Sequence, residues 1–237
     1  MDLKKVGRYT VLGILFFLPV TFLLLLYPAT HNYTPLDIVN DDVLELKQFT
    51  SADGPVLLKD QITVLGFLGE NPMNKSTTAL NLKELVYDKF KGFKKFQVVI
   101  VVPNGSEDTA KQLKQEISQY EDLKFWHFVF GEPESIRALY KSLKSNTALN
   151  NTLATDEVFV IDKELNQRGR IDNRTDGEIE KSKPVYGLNA YNGIEVAVIK
   201  NEMSEDMRIL FTEYRQKRKG EFNSEIRRAN DLKAEEK

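Results

Sequence analysis

The feature that most restricts the fold of this chain is a run of 19 residues without a charged side chain, from Tyr9 to Tyr27. As a helix this run would be about 28 Å long, close to the roughly 30 Å of hydrocarbon in a bilayer. A cleaved signal peptide has a shorter apolar stretch, usually about 7 to 15 residues, followed by small residues. Because the run is longer and ends in Tyr27 and Pro28, we predict an uncleaved signal anchor over residues 9–27, with cleavage as the alternative.

The charges that flank this run predict its orientation. Lys4, Lys5 and Arg8 precede it, whereas residues 28–40 contain no lysine or arginine. Positive charge favours the cytoplasmic side, so residues 1–8 are predicted to stay in the cytoplasm. We therefore expect a single-pass protein of the inner (cytoplasmic) membrane whose remaining chain lies in the periplasm or another extracytoplasmic space.

The chain contains no cysteine, and His31 and His127 are its two histidines. Thiol nucleophiles, dithiol redox pairs, zinc ribbons and thiolate copper sites are therefore excluded. Two imidazoles cannot build a three-histidine metal site, and a formal net charge of −2 gives no reason to expect nucleic acid as a partner. The composition predicts no resident metal or other cofactor and a small inventory of catalytic groups.

One folded domain is predicted after the anchor. The chain has 237 residues, of which 41% are apolar, and this is enough to bury a core without a metal or a disulfide. Residues 28–42 are polar, carry a second proline and lack a sustained period, so they are expected to form a tether. The domain is expected over residues 43–219, and residues 220–237 are expected to form a charged tail.

Apolar runs that are typical of buried strands alternate with helical patterns inside the domain. Strands are predicted at residues 62–68, 96–102 and 124–130, and helices at residues 77–90, 106–120 and from 133. A hairpin is predicted from residues 158–161 and 169–171, another from residues 42–58, a further strand at 194–199 and a closing helix from 204. This order predicts an α/β fold with a mostly parallel sheet and antiparallel edge strands, which chains of this kind often build as a thioredoxin-like fold.

Three segments of the chain share a pattern with known proteins: residues 49–54 (FTSADG), 63–69 (TVLGFLG) and 158–162 (VFVID). They resemble the Sco family of membrane-anchored thioredoxin-like proteins, within a similarity that covers roughly Leu46 to Asp172. The resemblance implies a mixed sheet flanked by helices and preceded by one transmembrane helix. It also implies a role in handling copper for the assembly of cytochrome c oxidase.

The residues that carry the family's chemistry are replaced in this chain. The two metal-binding cysteines of the family would fall at Met73 and Thr77, and its histidine would fall near Asp156. Copper(I) prefers thiolate or thioether ligands and copper(II) also uses imidazole, so one thioether, one hydroxyl and one carboxylate do not make such a site. Thiol–disulfide exchange needs a thiolate and is excluded.

The function predicted from these observations is that of a non-catalytic protein-interaction or assembly factor with an unidentified protein partner, linked through the resemblance to oxidase biogenesis. The predicted contact is the loop that replaces the family site: Glu70, Asn71, Pro72, Met73, Asn74, Lys75, Ser76 and Thr77.

Two other functions stay open at this point. The first is an enzyme that uses the carboxylates of Asp156, Glu157 and Asp162 or a loop between Thr175 and Asn192, although Asp162 as a turn residue and Asp156 as a cap explain the same pattern. The second is a structural envelope protein. The basic segment 215–219 is either a solvated helix end, which suits the helix dipole, or a contact to anionic lipid.

Overall fold

The computed structural model describes residues 3–26, 35–118 and 122–219, and in the first helix it describes the side chains of residues 11–22. The chain divides into two compact units, residues 1–34 and 35–237, which are described separately. Residues 28–34 of the predicted tether and the whole of the predicted tail, residues 220–237, lie outside the described residues.

The first unit is built on one helix, α1 (Leu3–Leu26), which contains Pro19. The predicted anchor, residues 9–27, extends beyond the described side chains at both ends. Among the residues that the structure describes, no helix has both the length and the apolar character needed to cross a membrane.

The second unit is built on one mixed sheet of seven strands. The strands are β1 (Asp37–Asn40), β2 (Ile62–Leu68), β3 (Phe96–Pro103), β4 (Trp126–Gly131), β5 (Ala154–Ile161), β6 (Gln167–Gly169) and β7 (Tyr191–Asn192). Their order is β1-β6-β5-β2-β3-β4, with β7 paired to β5. The pairs β2–β3 and β3–β4 are parallel, and the other pairs are antiparallel.

Helices connect the parallel strands and close the domain. They are α2 (Ser76–Leu82), α3 (Asp88–Phe90), α4 (Glu107–Ser118), α5 (Pro133–Lys141), α6 (Asp176–Glu180) and α7 (Ser204–Lys219). A π-helical turn, Lys83–Tyr87, joins α2 to α3, so the one helix predicted over residues 77–90 contains a local change of hydrogen-bond pattern.

The central strands are buried on both faces because helices cover both sides of the sheet. Val64, Val98 and Ile100 face one hydrophobic core, which they share with side chains of α2, α4 and α7. Leu65 and Val99 face the other core, which they share with α5 and the segment before β2. Neighbouring residues of a strand point to opposite faces, and this explains why the strands are continuous apolar runs. The predicted mixed α/β sheet is confirmed.

Three details differ from the sequence prediction. Residues 37–40, which were assigned to the tether, form β1 and pair with β6. Residues 194–199, predicted as a strand, instead lead into a π-helical turn, Val198–Met203, since Ile199 and Met203 are buried at helical spacing. The hairpin predicted over residues 42–58 does not form; Val43, Leu46 and Leu58 enter the core from irregular backbone.

Candidate functional site

The loop that follows β2 begins with a forced turn at Gly69. This glycine has φ +72°, and a Cβ there would lie 2.4 Å from the carbonyl oxygen of Thr152 and 2.8 Å from the Cβ of Ala154. The next residue, Glu70, donates its backbone N–H to the Thr152 carbonyl at 3.0 Å. The start of the loop is therefore held against the segment that precedes β5.

The middle of the loop is a single 3₁₀ turn, Pro72–Lys75, that leads into α2. The side chain of Asn71 accepts a hydrogen bond from the Met73 N–H at 3.2 Å and caps this turn. Pro72 is buried, and Met73 is half-buried and packs against the core. The loop is fixed at both ends and in its middle, so it presents a defined surface.

An ion pair joins this loop to strand β5. The Nζ atom of Lys75 lies 2.6 Å from Oδ1 of Asp156, with 22% and 38% of the two side chains exposed. Lys75 lies between Met73 and Thr77, the two positions that the sequence resemblance assigns to the Sco cysteines, and the resemblance places the Sco histidine near Asp156. The structure thus brings the predicted loop and the predicted histidine position together, and a lysine–aspartate pair connects them.

A polar groove of about 480 Å³ opens beside this pair. Its lining includes Lys75, Asn146, Thr147, Asp156, Glu157 and Asn192. The carboxylate of Glu157 accepts hydrogen bonds from the backbone N–H of Asn146 at 3.1 Å and from the hydroxyl of Tyr140 at 3.2 Å. Glu157 therefore fixes the wall of the groove, and burial together with the charge of Glu157 raises the pKa of the Tyr140 hydroxyl, which keeps it a neutral donor at physiological pH.

Asp162, the third carboxylate of the predicted enzyme site, lies at the opposite end of β5 from the groove. Asp162 follows the far end of β5, about 20 Å from Asp156 along an extended strand. It is buried, accepts the N–H groups of Glu164 and Asn166, and pairs with Arg168 at 3.0 Å. Asp162 is the turn residue that the alternative interpretation described, and the three carboxylates do not form one site.

The loop between Thr175 and Asn192 contains α6, whose first residues form a capping box between Thr175 and Glu178. Its far end reaches the groove through Ala190 and Asn192. The carboxylate of Glu178 accepts the Thr175 N–H and also binds Lys183 and Tyr186 at the surface. Glu178 therefore stabilises the local structure of this loop.

The donors at the positions that the resemblance assigns to metal ligands do not fit copper. Met73 supplies a thioether, but Thr77 supplies a hydroxyl and Asp156 is engaged by the ammonium group of Lys75. A positive charge between the two positions assigned to soft ligands opposes binding of a copper ion. Within residues 3–26, 35–118 and 122–219, no group of three or more histidine, aspartate and glutamate side chains could hold a metal ion.

Sequence reasoning missed Lys75 as the partner of Asp156 and missed Asn146 and Thr147 as groove residues. A contact between residues 81 positions apart has no local pattern. The available signal was indirect, because the resemblance places the loop and position 156 at one site.

Comparison with known proteins gives structural neighbours only. No family model matches the sequence, and no curated protein matches it. The apo Sco1 protein of Thermus thermophilus is 16% identical, with a TM-score of 0.43 over 76% of this chain and 100% of that chain. Copper-bound ScoI of Bradyrhizobium japonicum is 13% identical, with a TM-score of 0.39 over 73% and 99% of the two chains.

A further neighbour is the thioredoxin domain of a thiol-disulfide oxidoreductase from Bacteroides vulgatus. It is 17% identical, with a TM-score of 0.36 over 62% of this chain and 100% of that chain. The likeness is one of fold. The copper of the Bradyrhizobium protein and the thiol chemistry of the Bacteroides protein are properties of those proteins.

Proposed function

We propose that this protein is a membrane-anchored, extracytoplasmic thioredoxin-like domain that binds another protein without catalysis, as an assembly factor linked to cytochrome c oxidase biogenesis. The single observation that carries the proposal is the Lys75–Asp156 ion pair at the edge of the domain. The positions that the resemblance assigns to metal ligands carry no cysteine or histidine, and an ion pair lies among them. The loop after β2 is held in one conformation at this edge, and a surface of fixed shape can bind another protein.

The exposed side chains around the loop support protein binding. Glu70, Asn71, Asn74 and Thr77 are exposed and polar. Next to them, Leu80, Ile194 and Val196 are exposed by 45%, 46% and 51%. Asn81 donates hydrogen bonds to the carbonyl oxygens of Gly193 and Ile194, which fixes the segment beside α2. Apolar side chains with a polar rim are typical of a protein interface.

The anchor and the orientation are proposed from the sequence. Residues 9–27 are long enough for a bilayer, and the basic residues precede them. In this arrangement residues 35–219 lie outside the cytoplasm, on the side of the membrane where the partner is expected.

The test is chemical crosslinking in native membranes, followed by purification of the tagged full-length protein and mass spectrometry. The test variant is Asn74→Arg, which adds a long cation to the exposed loop. The matched control is Ala138→Arg on α5. Ala138 is exposed, and α5 packs on the opposite face of the sheet from the loop. We expect Asn74→Arg to lose a crosslinked partner that Ala138→Arg retains.

Two outcomes separate the parts of the proposal. Oxidase subunits or copper-handling proteins among the lost partners would support the role in oxidase assembly, whereas other partners would support protein binding and contradict that role. If both variants keep the same crosslinked proteins as the wild type, the loop is not the binding surface and the proposal fails.

A further inference from the structure

A second cavity lies at the other end of the central strands. It has a volume of about 280 Å³ and is enclosed by the loop before β3, the residue after Asp162 and the last turns of α7. Its aromatic lining is Phe93, Phe211 and Tyr214, and its charged lining is Lys94, Lys163, Arg215 and Arg218. Ile62, the first residue of β2, also lines it, so about 23 Å of extended strand separates this cavity from the loop that follows β2.

The four cations of this cavity have no carboxylate among its lining residues. None of the four forms an ion pair with another residue in the part of the chain that the structure describes. Lys163 lies over the ring of Tyr214, with its Nζ atom 4.8 Å from the ring centre. Four cations around one cavity of this size repel one another, and an anion between them would reduce this repulsion.

Two acids that adjoin lining residues in the chain, Glu164 and Glu213, are already engaged. Glu164 accepts the hydrogen bond of the Tyr214 hydroxyl. Glu213 pairs with Arg168 at 2.5 Å and with Lys217 at 2.8 Å. Burial and the hydrogen bond to Glu164 raise the pKa of the Tyr214 hydroxyl far above its usual value, so the phenol adds no negative charge. The cavity therefore has an excess of positive charge over an apolar floor.

We propose that this cavity binds a phosphate group. Guanidinium and ammonium groups together provide fork-shaped and point-like donors for phosphate oxygens, and the aromatic floor keeps water from one side. The cavity is at the lower limit of the volume of drug-sized sites, roughly 300 Å³, which suits a small anion. The phosphate belongs either to a small soluble compound or to the headgroup of an anionic lipid; the lipid source alone rests on the proposed membrane anchor.

The test variant is Lys94→Glu combined with Arg215→Glu. Both side chains are exposed, so the fold does not depend on them. The matched control is Lys111→Glu combined with Lys141→Glu, which makes the same change of charge at exposed positions of α4 and α5.

Full-length protein in neutral detergent is titrated with inorganic pyrophosphate by calorimetry at constant ionic strength. Amide hydrogen exchange of residues 91–95 and 163–165 is then compared in nanodiscs of phosphatidylcholine with and without phosphatidylglycerol.

Pyrophosphate binding that weakens at least tenfold in the test variant and stays unchanged in the control supports the proposal with a soluble phosphate compound. Exchange protection that appears only with phosphatidylglycerol, and is lost in the test variant alone, supports the proposal with a lipid headgroup. The proposal is overturned by absence of both effects, or by equal losses in the two variants, because equal losses report only the net charge.

Discussion

The ammonium nitrogen of Lys75 lies 2.6 Å from a carboxylate oxygen of Asp156, which joins the loop after β2 to strand β5. These two residues are 81 positions apart in the chain, and the contact crosses the edge at which the parallel strands end. The loop is also fixed by Gly69 and Asn71, so the ion pair is one of several constraints on it. Its contribution can be separated from theirs by substitution.

The first prediction concerns the energy of this pair. Both side chains are partly exposed, so water screens the attraction and the coupling should be small. In a double-mutant cycle with Lys75→Met and Asp156→Asn, we expect a coupling of about 0.2 to 1 kcal/mol in the free energy of unfolding. Urea denaturation followed by circular dichroism measures it. A coupling above about 2 kcal/mol would show that the pair holds the edge together and contradict this prediction.

The second prediction concerns copper. We expect calorimetric titration of the full-length protein with copper(I) or copper(II) to show no tight one-to-one binding, because the donor set is unsuitable. The combined variant Met73→Cys, Thr77→Cys and Asp156→His restores the family's ligand types, and it also removes the partner of Lys75. We expect this variant to gain one-to-one copper binding. Binding by the wild type, or its absence in the variant, would contradict the assignment of these positions.

The third prediction concerns the buried guanidinium of Arg168. It binds Asp162 at 3.0 Å, Glu213 at 2.5 Å and the Leu36 carbonyl at 2.8 Å, and 4% of its side chain is exposed. Burial lowers its pKa, but Glu213 and Asp162 together raise it above the usual value, so it stays charged. Replacement by methionine removes the cation that two buried carboxylates share, although Glu213 keeps Lys217 and Asp162 keeps its backbone donors, and we expect a loss of about 3 kcal/mol.

The control for this substitution is Arg137→Met on α5, where the side chain is exposed. It should change the free energy of unfolding by less than about 0.5 kcal/mol. Chemical denaturation of both variants is the measurement, and similar losses at the two positions would show that the buried network does not stabilise the fold.

The fourth prediction compares two glycines with positive φ. Gly69 has φ +72° and a Cβ there would meet the Thr152 carbonyl, whereas Gly54 has φ +93° and no atom within 4 Å of a built Cβ. Gly54→Ala should cost about 1 to 2 kcal/mol for the left-handed backbone. Gly69→Ala should cost about 1 to 3 kcal/mol more for the close approach. If thermal denaturation gives equal losses, the loop can move away from Thr152 and is less constrained than described.

The fifth prediction is a titration. The hydrogen bond from the Thr175 N–H, with those from Lys183 and Tyr186, lowers the pKa of Glu178 from 4.5 to about 2. A lowered carboxyl pKa adds stability at pH above 4.5, and this contribution is lost as the pH falls toward about 2. We expect the ¹³C NMR midpoint of this carboxyl near pH 2. Lys183→Met should raise it, and Lys181→Met should not; an ordinary midpoint in the wild type would refute the capping box.

Much of the sheet could be predicted because the strands have simple patterns. Residues 62–68 form β2 with the bounds of their apolar run, since helices cover both faces of that strand. Residues 194–199 have a similar run, but Ile194 and Val196 are exposed and the chain turns toward α7. Residues 42–47 alternate weakly in sequence, but Val43 and Leu46, three positions apart, are buried and Leu44 between them is exposed. The segment enters the core without the two-residue period of a strand, so weak alternation is a poor guide to strand pairing.

The candidate site was predictable only in part. The resemblance gave the loop and Asp156, and the structure places them in contact. Lys75 could not be predicted as the partner, because lysines are common on surfaces and their long-range contacts depend on tertiary structure. The phosphate cavity could be foreseen only as a basic segment at residues 215–219, because Phe93, Lys94 and Lys163 come from other parts of the chain.

Because an ion pair, Lys75–Asp156, lies at this edge of the domain, the edge should respond to salt concentration and not to redox potential through this pair. Thiol pairs open and close with the redox potential of their compartment, whereas an ammonium–carboxylate pair has no oxidised form. The ion pair should keep one covalent state under oxidising and reducing conditions alike. Its contacts should instead weaken as salt concentration rises, because dissolved ions screen a partly exposed pair.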